Sequence, residues 1–324
     1  MFLHVGNGHA TTGLIERSGI PGRTQVWCDP LNEGPVPGGI SDEELLLVRA
    51  RFLASQPDKS GEVAADLEQW RRTVDDEDSY EELVLWFEHD LFDQLNLIQL
   101  LTHLGSRARS KSISLICIDR YPGHPNFKGL GELEPRDIEA LFPSRRPVTT
   151  AQYQLAKQAW AAYRSPDPRA LEDILARDTS ALPFLGAALA RHLEEFPSDR
   201  DGLSRTERRM LEQAIDGPAP IHEAFRRMHD GETAYYIADS WFVDRARDLA
   251  HASPALMDLT MASDGEKAMP AGTMALTPAG RDVLRGEADR VKLCGIDRWL
   301  GGVHVHGNGR AWRWSDGARR LLEG

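Results

Sequence analysis

The apolar and polar positions of this chain change period several times, and each change marks an element. Residues 2–5 are a short apolar run, a strand, and GNGHATTG then turns the chain into a helix at 11–17. A second strand is predicted at 25–28, followed by the stiff segment DPLNEGPVPGG. Ser41 caps a helix that runs to Ala54, with Asp42, Glu43 and Glu44 in the first turn, where acids complement the helix dipole. A further helix covers 64–74, and DDEDSYEE reads as a solvated acidic loop. Residues 83–87 form the third strand, and the helix after it spans 92–104. SISLICI, at 112–118, is the fourth strand. Strands alternating with helices predict a parallel sheet with helices on its faces, a Rossmann-like open α/β domain over 1–130.

A helical region, 131–202, comes next, with helices at 135–142, 149–164, 168–176 and 182–196. The last carries Leu185, Ala188, Leu189, Leu193 and Phe196 at helical spacing. PSDRDGLS, at 197–204, is polar, holds Pro and Gly, and reads as a linker. Residues 203–324 have another plan. Ser204 and Glu207 make a capping-box pattern, and helices are predicted at 221–228 and 239–250. Short strands are predicted at 256–261 and 273–276, and Thr277 with Pro278 opens a last helix. Three helices, two short strands and that helix predict a winged-helix-like α+β domain. Within it GGVHVHGNGRAWRW reads as a hairpin turning at Asn308 and Gly309.

Composition adds exclusions. With 41% hydrophobic and 27% charged residues the chain has the make-up of a soluble globular protein. No apolar run reaches the ~18 residues of a membrane span, which argues against a membrane partner. MFLHVGNG has no basic segment ahead of an apolar one, so no signal peptide is read. Cys28, Cys117 and Cys294 are few, odd in number and far apart, which predicts a reducing cytoplasm and neither a disulfide framework nor a Cys-based zinc site. The net charge is −12, and residues 1–202 carry 21 basic against 32 acidic residues. An acidic surface repels phosphate backbones and argues against nucleic acid as a partner of that part. Residues 203–324, with 17 against 18, neither demand nor forbid one. Their third helix, the one that enters a groove in DNA-binding winged helices, sets Asp239, Asp244 and Asp248 against Arg245 and Arg247, a poor match to DNA.

The chemistry gathers just past the strand ends. Asn7, Gly8 and His9 come after the first strand; Asp29, Asn32 and Glu33 come after the second. Glu88, His89, Asp90, Asp93 and Gln94 come after the third; Asp119, Arg120 and His124 come after the fourth. In an open parallel sheet these positions share one edge, where ligands bind. The turn at 6–8 precedes a helix whose free N–H groups can hold an anion. Neither nucleotide fingerprint is complete, because Thr11 stands where a dinucleotide loop needs its third glycine and Leu14 where a phosphate loop needs lysine. Asp29, Glu33 and Asp90 offer oxygen ligands suited to Mg²⁺ or Mn²⁺ or to ribose hydroxyls. His89, Asp90 and His9 are the candidate proton-transfer groups, with Asp93, Gln94, Asp119 and Arg120 as further ligand contacts.

Each residue also has a plainer use. Asp90 or Asp93 would cap the helix at 92–104, and Asp29 and Asp119 would cap the elements next in the chain. His89 would be a histidine in an ion pair, and Trp86 a core residue. His304 and His306, two apart on a strand, face one side, a zinc geometry or simply a surface hairpin. HExxH, CxxC and G-x-S-x-G are all missing, which sets aside the commonest metalloprotease, zinc and serine-hydrolase designs.

HVGNG, VWCDPLNEGP and LWFEHDLFDQLNL, in that order, resemble a bacterial family catalogued as domain of unknown function number eighteen thirty-five. The family pattern is similar to N-G at the first turn, W-x-D-x-L-x-E-G-P after the second strand and W-x-x-x-D-x-x-x-Q-L at the third. It is carried here by Asn7, Gly8, Trp27, Asp29, Leu31, Glu33, Gly34, Pro35, Trp86, Asp90, Gln94 and Leu95. The resemblance covers about residues 1–125, and the tail with IDRWLGGVHV resembles a companion domain often joined to it. It implies no reaction, but it marks Asp29, Glu33, Asp90 and Gln94, positions that the strand-end argument also selects. The sequence therefore predicts an enzyme or binder for a phosphorylated or nucleotide-like small molecule, with residues 7–9 taking the anionic group. The alternative is a regulator or adaptor acting through the winged-helix-like part on DNA or a protein, or a protein-interaction module whose hollow is vestigial.

Overall fold

A computed structural model describes residues 1–56, 63–106, 109–261 and 271–324. It is a mixed α/β protein with thirteen α-helices among those residues. It divides into two units, Met1–Leu189 with Trp299–Val303, and Ala190–Arg298 with His304–Gly324.

The first unit opens with β1 (Phe2–Gly6), α1 (His9–Arg17), β2 (Arg23–Val26), α2 (Asp42–Ala54) and α3 (Val63–Asp75). It continues with β3 (Glu82–Glu88), α4 (Leu91–Gly105), β4 (Ser112–Ile118), α5 (Pro135–Leu141), β5 (Arg146–Pro147), α6 (Thr150–Tyr163) and α7 (Arg169–Leu175). The five strands make one sheet in the order β2-β1-β3-β4-β5. The first four are parallel, and β5 adds an antiparallel edge that the sequence does not announce. The second strand lies two residues earlier than its apolar run, because Trp27 N–H already closes on Gly6 C=O and the chain then leaves the sheet.

Strand order decides where the helices go. The chain steps from β1 outward to β2, but from β3 it steps the opposite way to β4. Right-handed crossovers therefore place α1 and α4 on opposite faces. Val84, Trp86 and Ile116 meet Leu14 and Ile15 of α1 and Ile138 of α5 in one core. Leu83, Leu85 and Phe87 alternate to the other face, and all three are fully buried. There α4 runs between the sheet and α6, apolar nearly all round, as a doubly covered helix must be. The helical region predicted at 131–202 is thus not apart from the sheet: α6 is packed along α4, and the division between units falls inside α8 (Leu185–Leu193).

The second unit contains α9 (Arg205–Glu212), β6 (Ala219–Pro220), α10 (Ile221–Met228), α11 (Asp239–His251), β7 (Met257–Met261), β8 (Gly272–Leu276), α12 (Pro278–Arg285) and α13 (Arg290–Cys294). Its three-stranded antiparallel sheet has the order β6-β8-β7. Thr277 Oγ1 caps α12 by accepting from Gly280 N–H at 3.0 Å. At Gly280 a Cβ would lie 2.0 Å from Leu256 C=O, so only glycine lets α12 approach so closely. Residues 197–204 are not a solvated linker. Asp201 is fully buried and accepts from Ser198 Oγ at 2.9 Å and Leu203 N–H at 3.0 Å, so the polar residues serve an internal turn.

The last strands also differ from expectation. β9 (Ile296–Leu300) pairs with β10 (Val303–Gly307) across Gly301 and Gly302, and β11 (Arg313–Ser315) pairs with β12 (Arg320–Leu322). Asn308 and Gly309 thus join two hairpins rather than turning one. Gly301, at φ +61, provides the left-handed backbone that the real turn requires.

Candidate functional site

The ends of β1, β3 and β4 meet the first turn of α4, and a buried hydrogen-bond knot forms there. Asp93 is its centre. Its Oδ1 accepts from Glu88 N–H at 2.7 Å, and its Oδ2 accepts from Asn7 Nδ2 at 2.7 Å. Asn7 is fixed from its other end by Thr11 Oγ1, which donates to Asn7 Oδ1 at 2.9 Å. Gln94 Nε2 donates to Glu88 C=O at 2.6 Å and reaches Cys117 Sγ at 3.5 Å. Gln94 Oε1 is buried without a hydrogen-bond partner among the described residues. The Glu88 carboxyl turns to the α1 face, where Leu130 N–H donates to its Oε1 at 2.5 Å. A Cβ at Gly129 would lie 2.3 Å from Glu88 Oε2, so this glycine makes room for the acid.

Two carboxyls buried side by side cannot both hold full charge. Burial, then the neighbouring Asp90, pushes Glu88 up to about 8. Burial and the Glu88 charge also raise Asp93 well above the usual carboxylate range. Both Asp93 oxygens accept N–H groups in the first turn of α4, where the helix dipole favours an anion. Glu88 has the Leu130 N–H as its main-chain donor and is also favoured by the Asn7 side chain. Burial and mutual repulsion thus favour the protonated form at both carboxyls, Glu88 included. The Cys117 thiol is pushed strongly upward by burial and stays protonated, a packed group and not a nucleophile.

Around the knot the predicted residues separate into uses. Asp90 caps α4, its Oδ1 accepting from Asp93 N–H at 2.9 Å, which is the structural use that the sequence also offers for it. His89 is buried with its ring 6.2 Å from Phe184, edge to face, and burial lowers its pKa against the pull of Asp119. Asp119 is bound by its neighbour Arg120 through two bonds of 3.0 Å, and that contact holds its carboxyl below the usual range. Gly8 gives α1 an N-terminus with no side-chain cap, in extended backbone at φ 177. His9 is the first residue of α1 and is exposed.

Asp29 and Glu33 belong to a second knot, around an arginine that no motif announces. Arg49 of α2 is 1% exposed. Its Nε and Nη2 hold Asp29, the closest contact being 2.6 Å. Its Nη1 donates to Glu33 C=O at 2.7 Å and Pro35 C=O at 3.3 Å, and Nη2 also donates to Pro30 C=O at 3.0 Å. The segment DPLNEGP is wound onto one guanidinium. A signal existed: Leu45, Leu46, Arg49, Ala50 and Leu53 share the buried stripe of α2, so Arg49 occupies a core position. The two knots touch through α4, where Asn96 Nδ2 donates to Asp29 C=O at 2.9 Å.

This overturns the expected metal set. Asp29 is committed to Arg49 and Asp90 to its helix, and among the described residues no group of three His, Cys, Asp or Glu side chains could hold a metal ion. The residues do not fit Mg²⁺ or Mn²⁺, and no chemistry is routed through one. His304 lies against Asp297 at 2.7 Å, with His306 4.9 Å away ring to ring, and this pair does not complete a set either. Among the described residues no helix is long and apolar enough to cross a membrane. In comparisons with known proteins, no family model matches the chain and no curated protein matches it.

Proposed function

We propose that the first unit binds a small anionic ligand, of nucleotide-like or phosphorylated type, at the edge of the sheet where β1 and β3 end. The observation that carries this reading is the bridge from Asn7 to Asp93 at the point where strand order reverses. In doubly wound sheets of Rossmann-like type the helices on either side diverge at that point and leave a crevice. Two further features support it. The first turn of α1 has its N–H groups uncapped by any side chain, an arrangement that favours an anion. The proton on Glu88 removes a negative charge that would otherwise oppose one.

On this reading Asn7 is a positioning residue, Gly8 allows close approach, and exposed His9 exchanges a proton with the ligand. Asp93 orients Asn7 and does not touch the ligand. The motif positions shared with domain-of-unknown-function family eighteen thirty-five then divide in two. Asn7, Asp90 and Gln94 build the ligand edge, and Asp29 and Glu33 build the Arg49 knot beneath it. We place the protein in the cytoplasm because its three cysteines are few, odd in number and far apart in the chain. A thermal-unfolding screen of nucleotides and sugar phosphates tests the proposal. Phosphorylated compounds raise Tm in a concentration-dependent way while the unphosphorylated nucleosides and sugars do not. Equal shifts from both groups, or none from either, refute it.

We read the second unit, with its order α9-β6-α10-α11-β7-β8, as a winged helix. Its α11 does not suit DNA. Arg247 is bound to Asp244 at 2.8 Å, and Arg245 is buried and lies 3.7 Å from Asp248. We therefore assign this unit a packing or protein-contact role.

A further inference from the structure

The opposite edge of the sheet, where β4 begins and α4 ends, holds a cavity that the proposed function does not use. Its volume is about 650 Å³, and it is walled by the last turns of α4, the start of β4, β5 and the first turns of α6. That lies inside the ~300–1,000 Å³ range of small-molecule sites. Pro147, Val148 and Tyr153, all partly exposed, give the cavity its accessible apolar lining, backed by Leu101, Leu104 and Ile113, which are nearly closed to solvent. Arg109, Lys111 and Lys157 also line it, and among the described residues no carboxylate does. Arg109 is turned toward Asp75, at 2.6 Å, and Glu77, at 3.4 Å, which offset its charge. Lys111 also faces the charges of Glu77 and Glu81, so the positive field in the cavity comes chiefly from Lys157.

Apolar walls alone would accept any oily molecule, and lysines alone any anion. Together in one concavity, they select a molecule that is both. We propose that this cavity binds a small organic anion with an apolar body. The body lies on Pro147, Val148 and Tyr153, and the carboxylate, sulfonate or phosphate faces Lys111 and Lys157. The site is independent of the Asn7 edge, since it uses the other ends of the strands and none of the same residues.

A fluorescence titration of the full chain with anilinonaphthalene sulfonate, two ring systems and one anion, tests this. The expected result is one saturable site with enhanced, blue-shifted emission, displaced by decanoate and not by decanol. Lys157 is exposed, so Lys157→Glu leaves the fold intact and weakens the dye by about ten-fold. Lys128→Glu, an exposed lysine outside the cavity, leaves affinity unchanged. Equal effects of the two reversals, displacement by decanol as effective as by decanoate, or no saturable site would each overturn the proposal. None of those failures bears on the phosphate screen, which reads another edge and another ligand.

Discussion

Arg49 makes contact with Asp29 and with three backbone carbonyls while almost wholly out of water. A buried charge is tolerable only while its partner is present. Arg49→Met would leave the Asp29 carboxylate unpaired and is expected to lose about 3–5 kcal/mol. Urea unfolding followed by tryptophan fluorescence measures this, and a loss under ~1 kcal/mol would mean that the knot is not structural. Glu88 gives a pH signature. Its pKa is raised from an ordinary 4.5 to about 8 in the folded chain, so the folded state holds a proton that the unfolded state releases. That contribution is complete below the unfolded value, fades as pH rises and is gone above the folded value. Stability of the first unit therefore falls between pH 5 and 8, and Glu88→Gln, neutral throughout, makes that fall shallower. Urea midpoints at the two pH values decide it, and an unchanged slope in the variant would contradict the assignment of the proton.

At the scale of elements, α4 connects the two knots, and its start is set by one side chain. Asp90→Ala removes the acceptor for Asp93 N–H and should destabilise the chain by about 1 kcal/mol, as other cap losses do. Calorimetric Tm measures this; a loss several times larger would show that Asp90 does more than cap. The main elements were legible because their signals are local. The fourth strand, the Ser41 and Ser204 caps and the Thr277 start are all where apolar period and capping chemistry put them. The illegible parts depend on partners distant in the chain. Asp29 looked like a ligand because nothing near it in sequence shows Arg49, 20 residues on. Residues 197–204 looked like a linker because Asp201 gets its burial from tertiary packing, not from its neighbours' polarity. Asn308 and Gly309 do make a turn dipeptide, but pairing register gave the hairpin to Gly301 and Gly302. The convergence of Asn7, Glu88, Asp93 and Gln94, by contrast, came from the parallel sheet alone, because strand ends in such a sheet share an edge.

For the molecule as a whole, the charge of −12 and the paired arginines of α11 point the same way. The full chain should give no mobility shift with duplex DNA even near 50 mM salt, where backbone contacts are strongest. A shift that weakens steeply as salt rises would restore the regulator reading. The central claim, an anion site at the β1 and β3 ends, is tested most directly by isothermal calorimetry of wild type and His9→Glu with the phosphorylated compound that shifts Tm most. His9 is exposed at the first position of α1, where glutamate favours the helix, so this variant alters the site and leaves the fold alone. The account predicts one-to-one binding to wild type, weakened about ten-fold or more in His9→Glu; equal affinity in the two proteins, or no binding to wild type, would contradict it.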